Sequence, residues 1–266
     1  MESEIQEAHG RRLAETKLVL SRLVREGTLP VPGVPVVVAE AMRIAPDPLT
    51  TARELEHLIS RDQAVAGKLM QIANSAAFKR LRPAASIEEA ILRIGQSDLN
   101  TTLLSIFLQT RLFESPNYQR LFSALWQHSM ATAGVARRVA QACGLNGDVL
   151  FLAGLMHDVG KVALLGNLPP LLPGQAPLPE AELEKLIQDI HPLAGGIAAK
   201  VWGLAPEIQA AVLHHHHPDE AGEHAPIARA VAVANRLAYR CRIGLDETYL
   251  RAAKAANTDY RPLYER

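Results

Sequence analysis

The chain has 266 residues, with 28 lysines and arginines against 28 aspartates and glutamates. That length can bury one large core or two smaller ones, and a zero formal charge argues against a chain whose main task is coating nucleic acid or an anionic membrane. Two cysteines, Cys143 and Cys241, lie far apart and in no CxxC, which fits a reducing compartment and offers no thiolate metal site. No apolar run of about 18 residues stands out, and MESEIQEAHGRR lacks a signal-peptide core, so the sequence predicts a cytoplasmic chain without a membrane segment.

In chain order, residues 1–27 predict an amphipathic helix, with Leu13, Leu20, Leu23 and Val24 on its apolar face. Gly27 is its C-cap candidate. This helix either docks on the body or makes homodimer contacts. LPVPGVP, residues 29–35, reads as a rigid connector because proline fixes φ and removes a donor. Thr51 with Glu54 and Ser86 with Glu89 have capping-box spacing. Apolar stripes follow at Leu55, Leu58 and Ile59; at Val65, Leu69 and Ile72; at Ile87, Ile91 and Ile94; and at Leu99, Leu103, Ile106 and Leu108. VPVVVA, residues 34–39, comes nearest to a strand, and its prolines argue against one. Lys79, Arg80 and Arg82 read as a solvated basic cluster. The break at Glu114, Ser115 and Pro116 divides a helical part, 28–115, from a second one, 116–245, with a tail at 246–266.

In the second part Leu121, Leu125, His128, Thr132, Val135 and Val139 recur at helical spacing, which turns His128 toward the core. Residues 148–159 predict a short helix ended by Gly160. LPPLLPGQAPLP, residues 168–179, is a loop. Further helices are expected at 180–190, 192–202, 205–217 and 225–242. The fold class is therefore all-α.

His9, His57 and His224 look like surface residues. The other seven histidines are His128, His157 beside Asp158, His191, and the run His214 to His217. A lone core histidine is more often a hydrogen-bonded structural residue than a ligand. Several of them at helix positions facing one core point instead to a divalent metal, since neutral imidazole and carboxylate suit Fe, Mn, Zn or Ni.

HDVGK, residues 157–161, with His128 before it and His191 and His214–His215 after it, resembles the HD superfamily of metal-dependent phosphohydrolases. LPVPGVPVVVAEAM, ISRDQAVAGKLMQIANSAAF, SIEEAILRIGQSDLNTTLL, LWQHSMATAGVARRVA, FLAGLMHDVGKVALL and VWGLAPEIQAAVLHHHHP together resemble the HDOD family, the HD-related output domain of bacterial signalling proteins. The resemblance covers about residues 28–242. It implies an HD-superfamily helical bundle with an N-terminal helical subdomain, acting as a regulatory module. Relatives with a GYP motif hydrolyse cyclic di-GMP at a two- or three-metal centre. Carried across, one ion would sit on His128, His157, Asp158 and Asn235. A second would sit on Asp158, His191, His214 and His215. Asp158 would bridge the two, and Lys161 would face a phosphate.

Three departures bear on activity. Asn235 stands where the superfamily closes with a carboxylate and supplies no charge. Ala124 stands where three-metal relatives carry glutamate. HPDEAGEHAP follows the histidines instead of GYP. The resemblance with these departures implies a signalling module holding one or two ions, non-catalytic or at most weakly catalytic, that binds a protein partner or a nucleotide. The alternative is a metal-dependent phosphohydrolase acting on a nucleotide such as a cyclic dinucleotide, with Asp158 and Lys161 in the catalytic roles. Nucleic acid is disfavoured by the neutral balance and the lack of a reading helix.

Overall fold

The structure is a computed structural model that describes residues 2–75, 78, 82–108, 118–168 and 178–241, with the side chains of 2–9, 96 and 97 outside the description. Lys79, Arg80, most of the proline-rich loop and the C-terminal tail lie outside the described residues. No strand occurs among those described, and the chain is all-α as expected. It divides into two compact units: Pro32–Glu114, and Met1–Val31 together with Ser115–Arg266.

The Pro32–Glu114 unit packs α2 (Val36–Ile44), α3 (Ala52–Ile59), α4 (Gln63–Ala73), α5 (Ile87–Ile94) and α6 (Gln96–Phe107) around Leu55, Ile59, Leu69, Leu99 and Leu103. The VPVVVA segment enters α2 directly after Pro35. Thr51 forms the full capping box: its hydroxyl accepts from the Glu54 amide, and the Glu54 carboxylate accepts from the Thr51 amide. The second expected box closes by half. Ser86 accepts from the Glu89 amide, but the Glu89 carboxylate takes Arg82 and the Ala85 amide instead. The Arg82 guanidinium and the Ala85 amide together occupy that carboxylate, with the charged donor making the stronger bonds. Asp62, unmarked by the spacing rule, caps α4 through the amides of Ala64 and Val65.

In the other unit, α1 (Glu2–Arg25) ends at Gly27 with φ +68°, and the Thr28 amide reaches back to the Leu23 carbonyl. Leu20 and Val24 are buried, so α1 docks within its unit. It packs on α10 (Glu180–Gln188) and α11 (His191–Val201). The long α7 (Gln119–Cys143) stops at left-handed Gly144, and Asn146 caps α8 (Gly147–Met156) by accepting from Asp148 and Val149. The buried face of α7 runs through Leu121, Leu125, His128 and Thr132 as the spacing predicts. It then continues through Ala133, Ala136 and Ala140 rather than Val135 and Val139, because small residues let α8 approach closely at Gly154.

The expected helix over 148–159 is two helices. The α8 segment ends at Met156, His157 and Asp158 form the turn, and α9 (Val159–Gly166) starts immediately after. Gly160 is therefore no stop signal. A Cβ placed on it would overlap the carbonyl of His191 and crowd the amide of Gly195, so it is the contact point of α9 on α11. The stretch Gly147–Gly166 is long and apolar enough to qualify as a membrane span by composition, contrary to the expectation that no such stretch occurs. It is mostly buried within its unit and interrupted at His157–Asp158. The expected helix over 205–217 ends early. α12 (Pro206–His214) stops at His214, a 3₁₀ turn covers Pro218–His224, and α13 (Ala225–Arg240) completes the unit.

Candidate metal centre

Four elements converge on Asp158, the residue that opens α9. Its side chain makes no capping bond to its own helix. It turns inward between His128 on α7, His157 at the end of α8, His191 at the start of α11 and His215 just past α12. His157 and His191 are wholly buried, and His128, Asp158 and His215 are at most 3% exposed.

The imidazole orientations follow from backbone chemistry. Nδ1 of His157 lies 2.8 Å from the Gly154 carbonyl, Nδ1 of His191 lies 2.7 Å from Gln188, and Nδ1 of His215 lies 2.8 Å from Val212. A carbonyl only accepts, so each Nδ1 carries the proton. In the neutral rings each Nε2 is then a bare lone pair, and all three point at the Asp158 carboxylate. His157 Nε2 and Asp158 Oδ1 are buried without a hydrogen-bond partner.

Burial pushes the pKa of His157 and His191 down and that of His215 well down, so these rings are neutral. The same cause takes His128 and His216 to about 3. Burial would raise Asp158, but the Lys161 ammonium, 2.7 Å from Oδ2, holds its carboxyl well below the usual range.

The ligand atoms fall into two groups. His191 Nε2 lies 3.2 Å from His215 Nε2, 3.2 Å from His216 Nε2 and 3.2 Å from Asp158 Oδ1. Ligands about 2.1 Å from a tetrahedral ion stand about 3.4 Å apart, so this spacing fits one cation. Between His191 and His215 no proton is left to bridge two lone pairs, and a cation is the partner that such a contact suits. On the other side, Asp158 Oδ2 lies 3.4 Å from His157 Nε2 and 3.9 Å from His128 Nε2, while His128 Nε2 is 3.0 Å from Asn235 Oδ1. These groups, His191–His215–His216 and His128–His157–Asp158, could each hold a metal ion.

Of the residues singled out from sequence, His128, His157, Asp158, Lys161, His191, His215 and Asn235 come together. His214 does not. It is a quarter exposed, and its Nδ1 faces Glu220 at 3.8 Å. His216 takes the inward place instead. The sequence reading carried the helix to residue 217, whereas it ends at His214, so the following residues leave helical spacing and His216 swings under His191. Glu184 on α10 was also missed. It is 9% exposed, its Oε2 has no hydrogen-bond partner, and burial raises its carboxyl to about 7 against the pull of Lys161. Its only sequence signal is a charge inside the Leu183, Leu186, Ile187 stripe. His57 is exposed and His224 half-buried, outside the cluster.

Comparison with known proteins agrees with this architecture. An HDOD domain protein of unknown function from Geobacter sulfurreducens is 25% identical, with a TM-score of 0.65 over 91% of this chain and 89% of that one. A Shewanella amazonensis protein, provisionally named a metal-dependent phosphohydrolase, is 21% identical, with a TM-score of 0.64 over 94% of this chain and 99% of that one. An uncharacterized protein of Treponema pallidum is 27% identical over 215 residues, which is 77% of this chain but 41% of the relative, so the chain spans less than half of that protein's length. The sequence model of the HDOD domain matches residues 31–218, and the chain belongs to the HDOD domain family.

Proposed function

We propose that this protein is a signalling HDOD module whose buried His–Asp core takes a divalent cation on His191, His215, His216 and Asp158, as a structural or sensing element and not as a turnover centre. The observation that carries this reading is the face-to-face pair of bare nitrogens, His191 Nε2 and His215 Nε2, 3.2 Å apart beside Asp158 Oδ1. Two neutral acceptors at that distance repel unless a cation lies between them. The module then signals to a protein partner or a nucleotide.

Two features favour binding without turnover. Asn235 offers an amide oxygen to the His128 side, so that group has one anion, Asp158, to share between two ions. The Lys161 ammonium is engaged by Asp158 and only 9% exposed, so it is not presented to an incoming phosphate.

The hydrolytic alternative draws on the same geometry, because Asp158 lies between two candidate groups and a cationic Lys161 stands beside it. A metal pair, when bound, supplies activated water and a clamp for a phosphodiester. The chain's own part would be to fix the imidazoles through their backbone carbonyls and to set the Lys161 charge beside the transferred group.

Metal analysis of protein purified without added ions tests the first reading, with about one equivalent of divalent metal expected. Protein that neither carries nor takes up metal would sink it. Incubation with cyclic di-GMP and generic phosphodiesters plus Mn²⁺ or Fe²⁺ decides the second: turnover that is lost in Asp158→Ala would replace the non-catalytic reading with a hydrolase.

A further inference from the structure

A buried carboxylate oxygen with no donor is costly unless it has a task. Glu184 Oε2 is one. Glu184 sits on α10, which packs on α9, the helix that carries Lys161. Among the charges that act on its carboxylate the Lys161 ammonium is the strongest opposing one. Lys161 Nζ meanwhile rests 2.7 Å from Asp158 Oδ2, an oxygen of the His128–His157–Asp158 group. An ammonium and a dication on one carboxylate repel each other strongly in a low-dielectric interior. The lysine stem is flexible and its charge compact, so it can relocate within the core where a guanidinium fork would not.

We propose that Glu184 is the second seat of Lys161: when a divalent cation takes Asp158, the ammonium transfers from Asp158 to Glu184. The proposal rests on the metal-binding reading above and extends it to the way the core exchanges one positive charge for another. In the metal-free protein Lys161 neutralises Asp158, and Glu184 is the uncompensated group. In the loaded protein the cation neutralises Asp158, and Lys161 compensates Glu184. Glu184 is thus a positioning residue that acts through Lys161, and it lowers the cost of charging the centre. The cation, Asp158, Lys161 and Glu184 form one coupled set, in which removing either end of the lysine's path changes affinity for the ion.

The test is calorimetric titration of the full chain with Mn²⁺ alone, at about pH 8, where Glu184 is ionised. Glu184→Gln keeps the shape and removes the charge, and its affinity for Mn²⁺ should fall about tenfold, with Glu184→Asp recovering part of the loss. In a Lys161→Met background, Glu184→Gln should have an effect of about twofold at most, since no ammonium remains to be seated. Unchanged Mn²⁺ affinity in Glu184→Gln, or an equal loss in both backgrounds, would overturn the proposal while leaving the metal reading intact. Failure of both wild type and Lys161→Met to bind Mn²⁺ would overturn the two together. A crystal structure of the wild-type protein loaded with Mn²⁺ needs no variant: Lys161 Nζ should lie on the Glu184 carboxylate, and Nζ still on Asp158 Oδ2 refutes the transfer.

Discussion

Acid should loosen the metal-free protein in a way that its own interior dictates. The perturbation is a shift from about pH 7.5 to about pH 5.5 in chelator, and the relevant quantity is the difference in bound protons between unfolded and folded states. His128 and His216 titrate near 3 when folded and regain an ordinary value of about 6.5 when unfolded. The unfolded chain therefore takes up protons that the folded one refuses, and stability present above about pH 6.5 is lost as pH falls below it. At about pH 5.5 each of the two contributes a loss of about 1.4 kcal/mol, so together about 3 kcal/mol. His157, His191 and His215 are shifted down by burial and act in the same direction.

Glu184 runs the other way. Burial raises its folded carboxyl to about 7 from an ordinary 4.5, so the folded state takes that proton first as pH falls. Over the same interval it returns about 2 kcal/mol and hides much of the histidine effect. Glu184→Gln removes this offset. Urea unfolding followed by circular dichroism should show the variant losing about 2 kcal/mol more than wild type between the two pH values. Equal losses in the two proteins would refute a buried Glu184 that takes up its proton near pH 7, and a wild type unaffected by acid together with a variant unaffected by acid would refute the neutral histidine core.

Other outcomes follow from the same geometry. Asn235→Asp adds a carboxylate beside the His128–His157–Asp158 group and should raise Mn²⁺ uptake from about one equivalent toward about two in a titration; an unchanged stoichiometry would mean that residue 235 does not complete a second site. His216→Ala should weaken metal uptake about tenfold or more while His214→Ala leaves it near wild type, and the reverse order would restore the ligand set read from sequence. Gly160→Ala drives a methyl group into the His191 carbonyl and should cost about 3 kcal/mol or more in urea unfolding; a neutral effect would contradict the close α9–α11 contact.

The sequence was most legible where one local rule decided the outcome. Helical periodicity fixed the all-α class and turned His128 inward. The positive-φ stop at Gly27 and the Thr51–Glu54 box are likewise matters of neighbouring residues. The resemblance carried by HDVGK and its companion segments located Asp158, His157, His191, His215 and Asn235, all of which meet in space.

Tertiary structure decided what depended on groups distant in the chain. Gly160 looks like a helix terminator until the His191 backbone is placed against it. Four consecutive histidines carry no mark of which ones turn inward, because that depends on where α12 stops and on what α11 presents across from it. Glu184 reads as one more surface charge on an amphipathic helix, and only the packing of α10 on α9 buries it within reach of the Lys161 charge. Helical spacing thus determined the helices, and the family resemblance named most of the residues that meet around Asp158. Burial, which sets the charge of each imidazole and carboxyl, arises from the folded surroundings and cannot be read from any one segment.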